Sequence, residues 1–308
     1  IHLSQILKIK MKNILIAGSS NVDITHVGEY IPNEGETLLA ENSYMSLGGK
    51  GLNQAVSSKR LSDTEVFFLS VLGDDFLSNY IKNGLKKEKI NSKFIRTAKG
   101  ERTGSALIYI NKNMKNHISV SPESNLLLGI NELNSFKKIS KKISILLLQQ
   151  EIPLDINIEL LKIAKDSGIK TIYDPGPPIK SKNYDYFKFV DFLTPNKHEA
   201  EFILGKKING NELKAAKDLK KYGAKHVIIT LGSQGLVYSG KFDKIFEPIK
   251  IKSIDPVGSG DCFNGALASM INKGENILNS INFAQKAAAL STTKIGASQS
   301  FPFLNEIK

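Results

Sequence analysis

The chain has one cysteine, Cys262, in 308 residues. A single thiol excludes an internal disulfide framework and fits a reducing compartment. Long apolar runs are also absent. The longest, ISILLL, contains a serine and falls far short of the ~20 residues that a membrane-spanning helix needs. The five histidines form no metalloenzyme pattern, and no G-x-S-x-G elbow is present, so acyl transfer is not expected. His26, His117, His198 and His226 read as surface or turn residues. Cys262 adjoins Asp261 but has no partner histidine, which argues against a nucleophilic thiol. No repeat, low-complexity tract or linker divides the sequence. The opening IHLSQILKIK lacks a small-residue cleavage pattern, so Met11 is read as the native start and residues 1–10 as an extension outside the fold. Together these absences predict a soluble, cytoplasmic protein with no membrane partner.

The formal net charge of +12 invites a nucleic-acid reading. The lysines, however, are scattered over helical stretches such as LKKEKI and FKKISKK, with no aromatic interleaving and no finger, RRM or helix-turn-helix pattern. They read as solvated faces, no nucleic-acid partner is expected, and the surplus charge is compatible with attraction for an anionic substrate.

Short β-branched and apolar runs alternate with helical stretches. Candidate strands lie at 13–18, 65–71, 143–149, 170–175, 191–196 and 226–232, with helices among them at 53–61, 76–88, 156–168 and 211–223. This βαβ rhythm predicts an α/β fold: a three-layer α/β/α body built on a mainly parallel sheet. Residues 24–47 and 103–120 break the rhythm, reading as strands and turns without helices, and are expected to form a small antiparallel sheet that projects as a lid. One domain over 11–308 is expected to hold both.

Five stretches carry chemistry. IDPVGSGDCFNGA (254–266) sets Asp255 and Asp261 around a glycine-rich turn where a helix begins, a place that favours an anion through backbone N–H groups and the helix dipole. A carboxylate there would repel a phosphate unless it took a proton. LGGKGLNQA (47–55) puts glycines ahead of a helix, with Lys50 and Asn53 adding a charge and an amide; it reads either as a tight turn or as a ligand cradle, and is not a Walker A motif. In GSSNVDI (18–24) a strand ends in polar groups, Asn21 and Asp23 pointing the same way to suit sugar hydroxyls or to cap a turn. TPNKHEAE (194–201) places Asn196 and Glu199 where they form a capping box or serve magnesium and phosphate. ITLGSQG (229–235) reads as a hairpin, or as a turn against a nucleotide.

Taken in order, these motifs resemble the ribokinase family, also called the PfkB family of carbohydrate kinases, from about Asn13 to Pro302. LGGKGLNQA and DPVGSGDCFNGA are the specific signatures. The resemblance implies ATP-dependent phosphorylation of D-ribose at its 5-hydroxyl, with Asp261 as general base and Gly258, Ser259 and Gly260 as an anion hole. It implies ribose contacts by Asn21, Asp23, Gly48, Gly49, Lys50, Asn53 and Glu151. ATP would lie against Asn196, Thr230, Leu231, Gly232, Ser233, Gln234, Gly235 and Gln285, with magnesium at Glu199. Potassium would be held by Asp255, Val257, Ser291, Lys294, Gly296 and Ser300, Asp255 thus being architectural where Asp261 is chemical. A homodimer paired through the β lid is expected. The alternatives are a sibling sugar or nucleoside kinase such as deoxyribokinase, or a catalytically silent sugar-binding regulator. Three positions depart from the family pattern: Leu52 stands for a frequent alanine, Cys262 for a usual threonine or serine, and Gln285 for a frequent nucleotide-contacting histidine.

Overall fold

The computed structural model describes residues 13–113, 116–181 and 183–307, so the reading of residues 1–10 and Met11 lies outside the described residues. In chain order the elements are β1 (Asn13–Ala17), β2 (Asn21–Gly28), β3 (Asn42–Gly48), α1 (Lys50–Arg60), β4 (Val66–Leu72), α2 (Phe76–Lys87), β5 (Asn91–Thr97), β6 (Gly104–Asn111), β7 (Asn116–Ser121), α3 (Ile130–Ile139) and β8 (Ile143–Gln149). Then follow α4 (Leu154–Asp166), β9 (Lys170–Asp174), β10 (Phe192–Leu193), α5 (Lys197–Leu204), α6 (Glu212–Lys220), β11 (His226–Thr230), β12 (Leu236–Ser239), β13 (Asp243–Phe246), α7 (Ser259–Lys273) and α8 (Ile277–Ser291).

One sheet has the order β13-β12-β11-β10-β9-β8-β1-β4-β5. Its strands from β11 through β5 are parallel, and β12 and β13 add an antiparallel edge. The central strands are apolar on both faces, as a doubly covered parallel sheet requires. Ile14 and Ile16 join the core under α1, α2, α7 and α8, whereas Leu15 and Ala17 join the core under α3 to α6. The chain leaves β1 toward β4 on one side and returns through β8 on the other, so β1 and β8 flank the point where strand order reverses. Ligands of open α/β sheets lie outside the carboxyl ends of the strands at such a point.

A second sheet, in the order β3-β2-β6-β7, takes up the two stretches that break the βαβ rhythm. It starts earlier than expected. GSSNVDI is not the end of a body strand: β1 stops at Ala17, and Asn21 and Asp23 already pair with β3 and β6. The turn between them is tied down by Asn125, which accepts from the Ser20 N–H at 2.9 Å and donates to Asn21 Oδ1 at 2.8 Å. Strands β5 and β13 go beyond the sequence reading; both are half-exposed edges whose lysines and asparagines mask the strand pattern. ITLGSQG does form a hairpin, β11 to β12 around a 3₁₀ turn at Gly232–Gln234. His226 is not a surface or turn residue. Its ring stacks between Phe192 and Tyr238, at centroid distances of 4.6 and 5.8 Å, and burial lowers its pKa to about 4. Among the described residues no helix is long and apolar enough to cross a membrane.

The helix α1 packs on α7 without a gap. A Cβ on Gly265 would lie 2.5 Å from the Ser57 side chain and 2.7 Å from the Ser58 backbone nitrogen. Ser57 Oγ donates to the Cys262 carbonyl at 2.8 Å, fixing the approach. In an open helix Gly→Ala is favourable by ~1 kcal/mol, but overpacking here costs about 1–3 kcal/mol. Gly265→Ala should therefore lower the melting temperature by ~2 °C or more; a rise on thermal denaturation would show that the helices are free to separate.

Candidate active site

Asp261 is the third residue of α7, whose N-cap, Gly258, has φ 75°, a left-handed conformation that glycine adopts without strain. The first i→i−4 bond of the helix runs from the Cys262 N–H to the Gly258 carbonyl, so the amides of Gly260 and Asp261 precede it at the positive end of the dipole. The Asp261 carboxylate accepts from Asn53 Nδ2 and Gln54 Nε2, each at 3.0 Å. Burial raises its pKa to about 6, with Asp174 adding to the rise and Lys50, Gln54 and Asn53 opposing it. Cys262 beside it is buried and its thiol is pushed up to about 12 by desolvation, which leaves no thiolate for nucleophilic work.

The second signature packs against the first. Gly49, at φ 85°, is the N-cap of α1 and brings Lys50 and Asn53 to the same place. Glu151, just beyond β8, accepts from the Lys50 backbone N–H at 2.9 Å and from Ser19 Oγ. Gly48 lies directly over Asp23, where a Cβ would fall 1.9 Å from Oδ1. The Asp23 pKa is raised to about 7 by burial, with Glu151 and Asp261 adding to it. Asn53 Oδ1 is buried without a hydrogen-bond partner. Thus Asn21, Asp23, Gly48, Gly49, Lys50, Asn53, Glu151 and Asp261 converge on one cleft from β2, β3, α1, the segment after β8, and α7.

Sequence reasoning missed the residue at its centre. Asp174, at the carboxyl end of β9, pairs with Lys50 Nζ at 3.3 Å and accepts from Gln54 at 2.9 Å and Asn264 at 3.2 Å. The available signal was an acid closing a parallel strand before a glycine-proline turn. Burial alone would lower the Lys50 pKa, but Asp174, Asp261, Glu199 and Glu151 together hold it above the ordinary lysine value.

Asn196 and Glu199 form a reciprocal capping box on α5, with bonds of 2.7 and 2.9 Å. The other Glu199 oxygen faces the cleft: a Cβ on Gly176 would meet it at 2.2 Å and Asp174 Oδ1 at 3.0 Å. Burial, then Asp174, raises the Glu199 pKa to about 7, against the pull of Lys50. Asn196 bridges Thr230 on β11, which leads into the exposed Gly232–Gln234 turn. A Cβ on Gly235 would collide with the Phe246 carbonyl at 2.2 Å, and Gln285 donates to the next carbonyl, of Glu247, at 2.7 Å. Leu231 and Ser233 belong to the same rim. No group of three or more histidine, cysteine or acidic side chains arranged for a metal occurs among the described residues.

The buried Asp255 carboxylate accepts from Val257 N–H at 3.0 Å and Gly296 N–H at 2.9 Å, clipping the segment before α7 to the segment after α8. The Thr292 carbonyl adds two bonds, from Ile254 and Asp255. Ser291 and Ser300 are buried beside this clip. The Lys294 ammonium lies apart, paired with Glu306 at 3.3 Å.

Residues 11–304 match the pfkB family carbohydrate kinase profile. The chain is 34% identical over 299 residues to a ribokinase of Lactococcus lactis, covering 97% of this chain and 96% of that protein. The crystal structure of a Thermotoga maritima ribokinase superposes with a TM-score of 0.87 at 33% identity, covering 96% and 98% of the two chains. An Arabidopsis thaliana ribokinase complexed with ribose and ATP superposes equally well, with a TM-score of 0.87 at 28% identity over 96% and 97%. The fold and the sequence together show that the chain belongs to the pfkB family of carbohydrate kinases and is a phosphotransferase.

Proposed function

We propose that the protein transfers the γ-phosphoryl group of ATP to the 5-hydroxyl of D-ribose. The observation that carries this is the Asp261 carboxylate, set in the first turn of α7 and bonded to Asn53 inside the cleft that also holds Asp23 and Glu151. A base thus adjoins both an anion-binding helix end and a ring of acceptors suited to a polyol. The ribose-and-ATP complex of the Arabidopsis relative supports the substrate pair. Asn21, Asp23, Asn53 and Glu151 accept from sugar hydroxyls, and Gly48 and Gly49 let backbone approach the ring. As the O5–H bond breaks, the proton goes to Asp261, the O5–P bond forms, and the bond from the γ-phosphorus to the β,γ-bridging oxygen breaks to release ADP. Backbone amides at Gly258 and Gly260 stabilise charge on the transferring group, while the Ser259 N–H is donated to the Pro256 carbonyl at 3.2 Å. The nucleotide lies along Asn196, Thr230–Gly235 and Gln285, with the second sheet as a lid over the sugar.

Two ions belong to this reading. Glu199 offers a buried hard oxygen donor whose raised proton affinity marks a deficit of positive charge, which fits magnesium with its retained waters. When bound, magnesium neutralises phosphate charge. At the clip, the buried Asp255 carboxylate is bonded to the Val257 and Gly296 N–H groups while the Lys294 ammonium is turned to Glu306, so Asp255 with backbone oxygens of Val257, Ser291, Lys294, Gly296 and Ser300 would hold potassium.

Assayed with ATP against pentoses, hexoses and nucleosides, the protein should turn over D-ribose fastest and yield the 5-phosphate; faster turnover of deoxyribose or a nucleoside would replace the substrate. In the same assay Asp261→Asn should lose at least ~10²-fold in kcat with ribose and ATP binding retained, and the parent rate should fall below about pH 6 as Asp261 takes a proton. Potassium should raise the rate above that in potassium-free, lithium-containing buffer; equal rates remove the cation site.

Exposed Ile118 (52%) and Val120 (51%), which share one face of β7, support pairing of two copies through the second sheet. Ile118→Glu should convert a dimer to a monomer in sedimentation; a monomeric parent contradicts the pairing.

A further inference from the structure

Gln54 is fully buried, yet its amide faces two acids. Its Nε2 lies 2.9 Å from Asp174 Oδ2 and 3.0 Å from Asp261 Oδ1, so each of its two hydrogens serves a different carboxylate. Ionised carboxylates only accept, which fixes the amide with nitrogen toward the acids and Oε1 away. Oε1 then accepts from Gln149 Nε2 at 2.6 Å. That orientation leaves Gln149 Oε1 buried with no hydrogen-bond partner, crowded against Gly18, where a Cβ would lie 2.0 Å from it. A buried orphan carbonyl costs free energy and calls for an explanation. The chain of amides is anchored at the acid end and carries its unsatisfied atom at the end remote from them.

We propose that Gln54 is a positioning residue for phosphoryl transfer, its single NH₂ group separating the Asp261 and Asp174 carboxylates while aiming Asp261 at the acceptor hydroxyl. The role rests on Asp261 being the general base. Without the amide, Asp261 loses the donor that fixes one of its oxygens and favours its charged form, and a protonated Asp261 has no base to offer. The other charged or titratable groups that face Asp261 are Lys50 from α1, Asp23 from β2, Glu199 from α5 and Cys262 on its own helix, with Glu151 beyond β8 acting on Lys50 and Asp23. Of these only Lys50 is cationic, and its ammonium is paired with Asp174. Asn53 holds the second Asp261 oxygen, and it is also proposed to hold sugar. Gln54 is the donor committed to the acids alone.

The test compares Gln54→Met, Gln149→Met, the double variant and Asp261→Asn in the full chain. The readouts are kcat, the KM values for ribose and ATP, the pH profile of kcat, and melting temperature. Removing a donor from Asp261 favours its neutral form, so Gln54→Met should move the acid limb of the profile upward by about one pH unit or more. At pH 6.5 kcat should fall ~3-fold or more from this shift, with ribose KM changed by no more than a few-fold. Gln149→Met should shift the limb in the same direction by less, and the double variant should be no worse than Gln54→Met, because both act through one amide. An unshifted acid limb in folded Gln54→Met overturns the role of Gln54; should that variant not fold, an unshifted limb in Gln149→Met does so. Near-parental turnover in Asp261→Asn removes the base assignment and this proposal with it, whereas an inactive Asp261→Asn beside an unshifted limb removes Gln54 only.

Discussion

Five acids gathered around one ammonium are the constraint on which the rest of the site depends. Asp174, Asp261, Glu199 and Glu151 act directly on Lys50, Asp23 joins them through Glu151 and Asp261, and Asp174 bears on both Glu199 and Asp261 through the buried interior. Uncompensated charge of this density would be prohibitive. Three devices contain it. Lys50 supplies a cation at 3.3 Å from Asp174. The amides of Asn53, Gln54 and Asn264 donate to Asp174 and Asp261. Proton uptake takes the remainder, since burial lifts Asp23 and Glu199 to about 7 and Asp261 to about 6. The buried Asn53 oxygen without a partner adds acceptor capacity that these donors leave unfilled.

Topology explains why the acids meet. The carboxyl ends of parallel strands and the amino ends of the helices that follow lie on one side of the sheet. Asp174 closes β9, Glu151 follows β8, and Glu199 and Asp261 are each third residues of helices that begin on that side. Only Asp23 comes from elsewhere, on the second sheet. The glycines make the approach possible: Gly51 would put a Cβ 2.7 Å from the backbone after β1, and Gly48 would put one into Asp23.

What could be read in the sequence was what local geometry demands. Gly49 and Gly258 occupy left-handed positions, so their motifs announce tight helix entries whatever the rest of the chain does. The capping box of Asn196 and Glu199 is likewise a three-residue affair. Asp174 and Gln54 were illegible because their meaning is remote: Gln54 reaches its acids across 120 and 207 residues. The start of β2 was misplaced for the opposite reason. Polar Asn21 and Asp23 looked like the end of a strand, but Asn125 satisfies that turn from 104 residues away. Of the departures from the family pattern, Leu52 and Cys262 are both fully buried in the core beneath α1 and α7, so they are packing changes. Gln285 instead lies at the rim, bonded to the Glu247 carbonyl.

The seam between α1 and α7 divides the labour of the proposed reaction. Asn53 and Gln54 bond to Asp261, Ser57 to the Cys262 carbonyl and Ser58 to the Gly265 carbonyl, so two turns of α1 are stitched to two turns of α7. Base, sugar amide and anion-binding helix end are thereby parts of one rigid unit, set by backbone packing that leaves no room for a methyl group at Gly265. Asp23 stands on the second sheet, whose link to the body passes through the Ser20 turn and Gly49. Alignment for proton transfer is therefore built into the body, while grip on the sugar is shared with a separate sheet. A change in that sheet would be felt first in binding, and a change along the seam first in the chemical step.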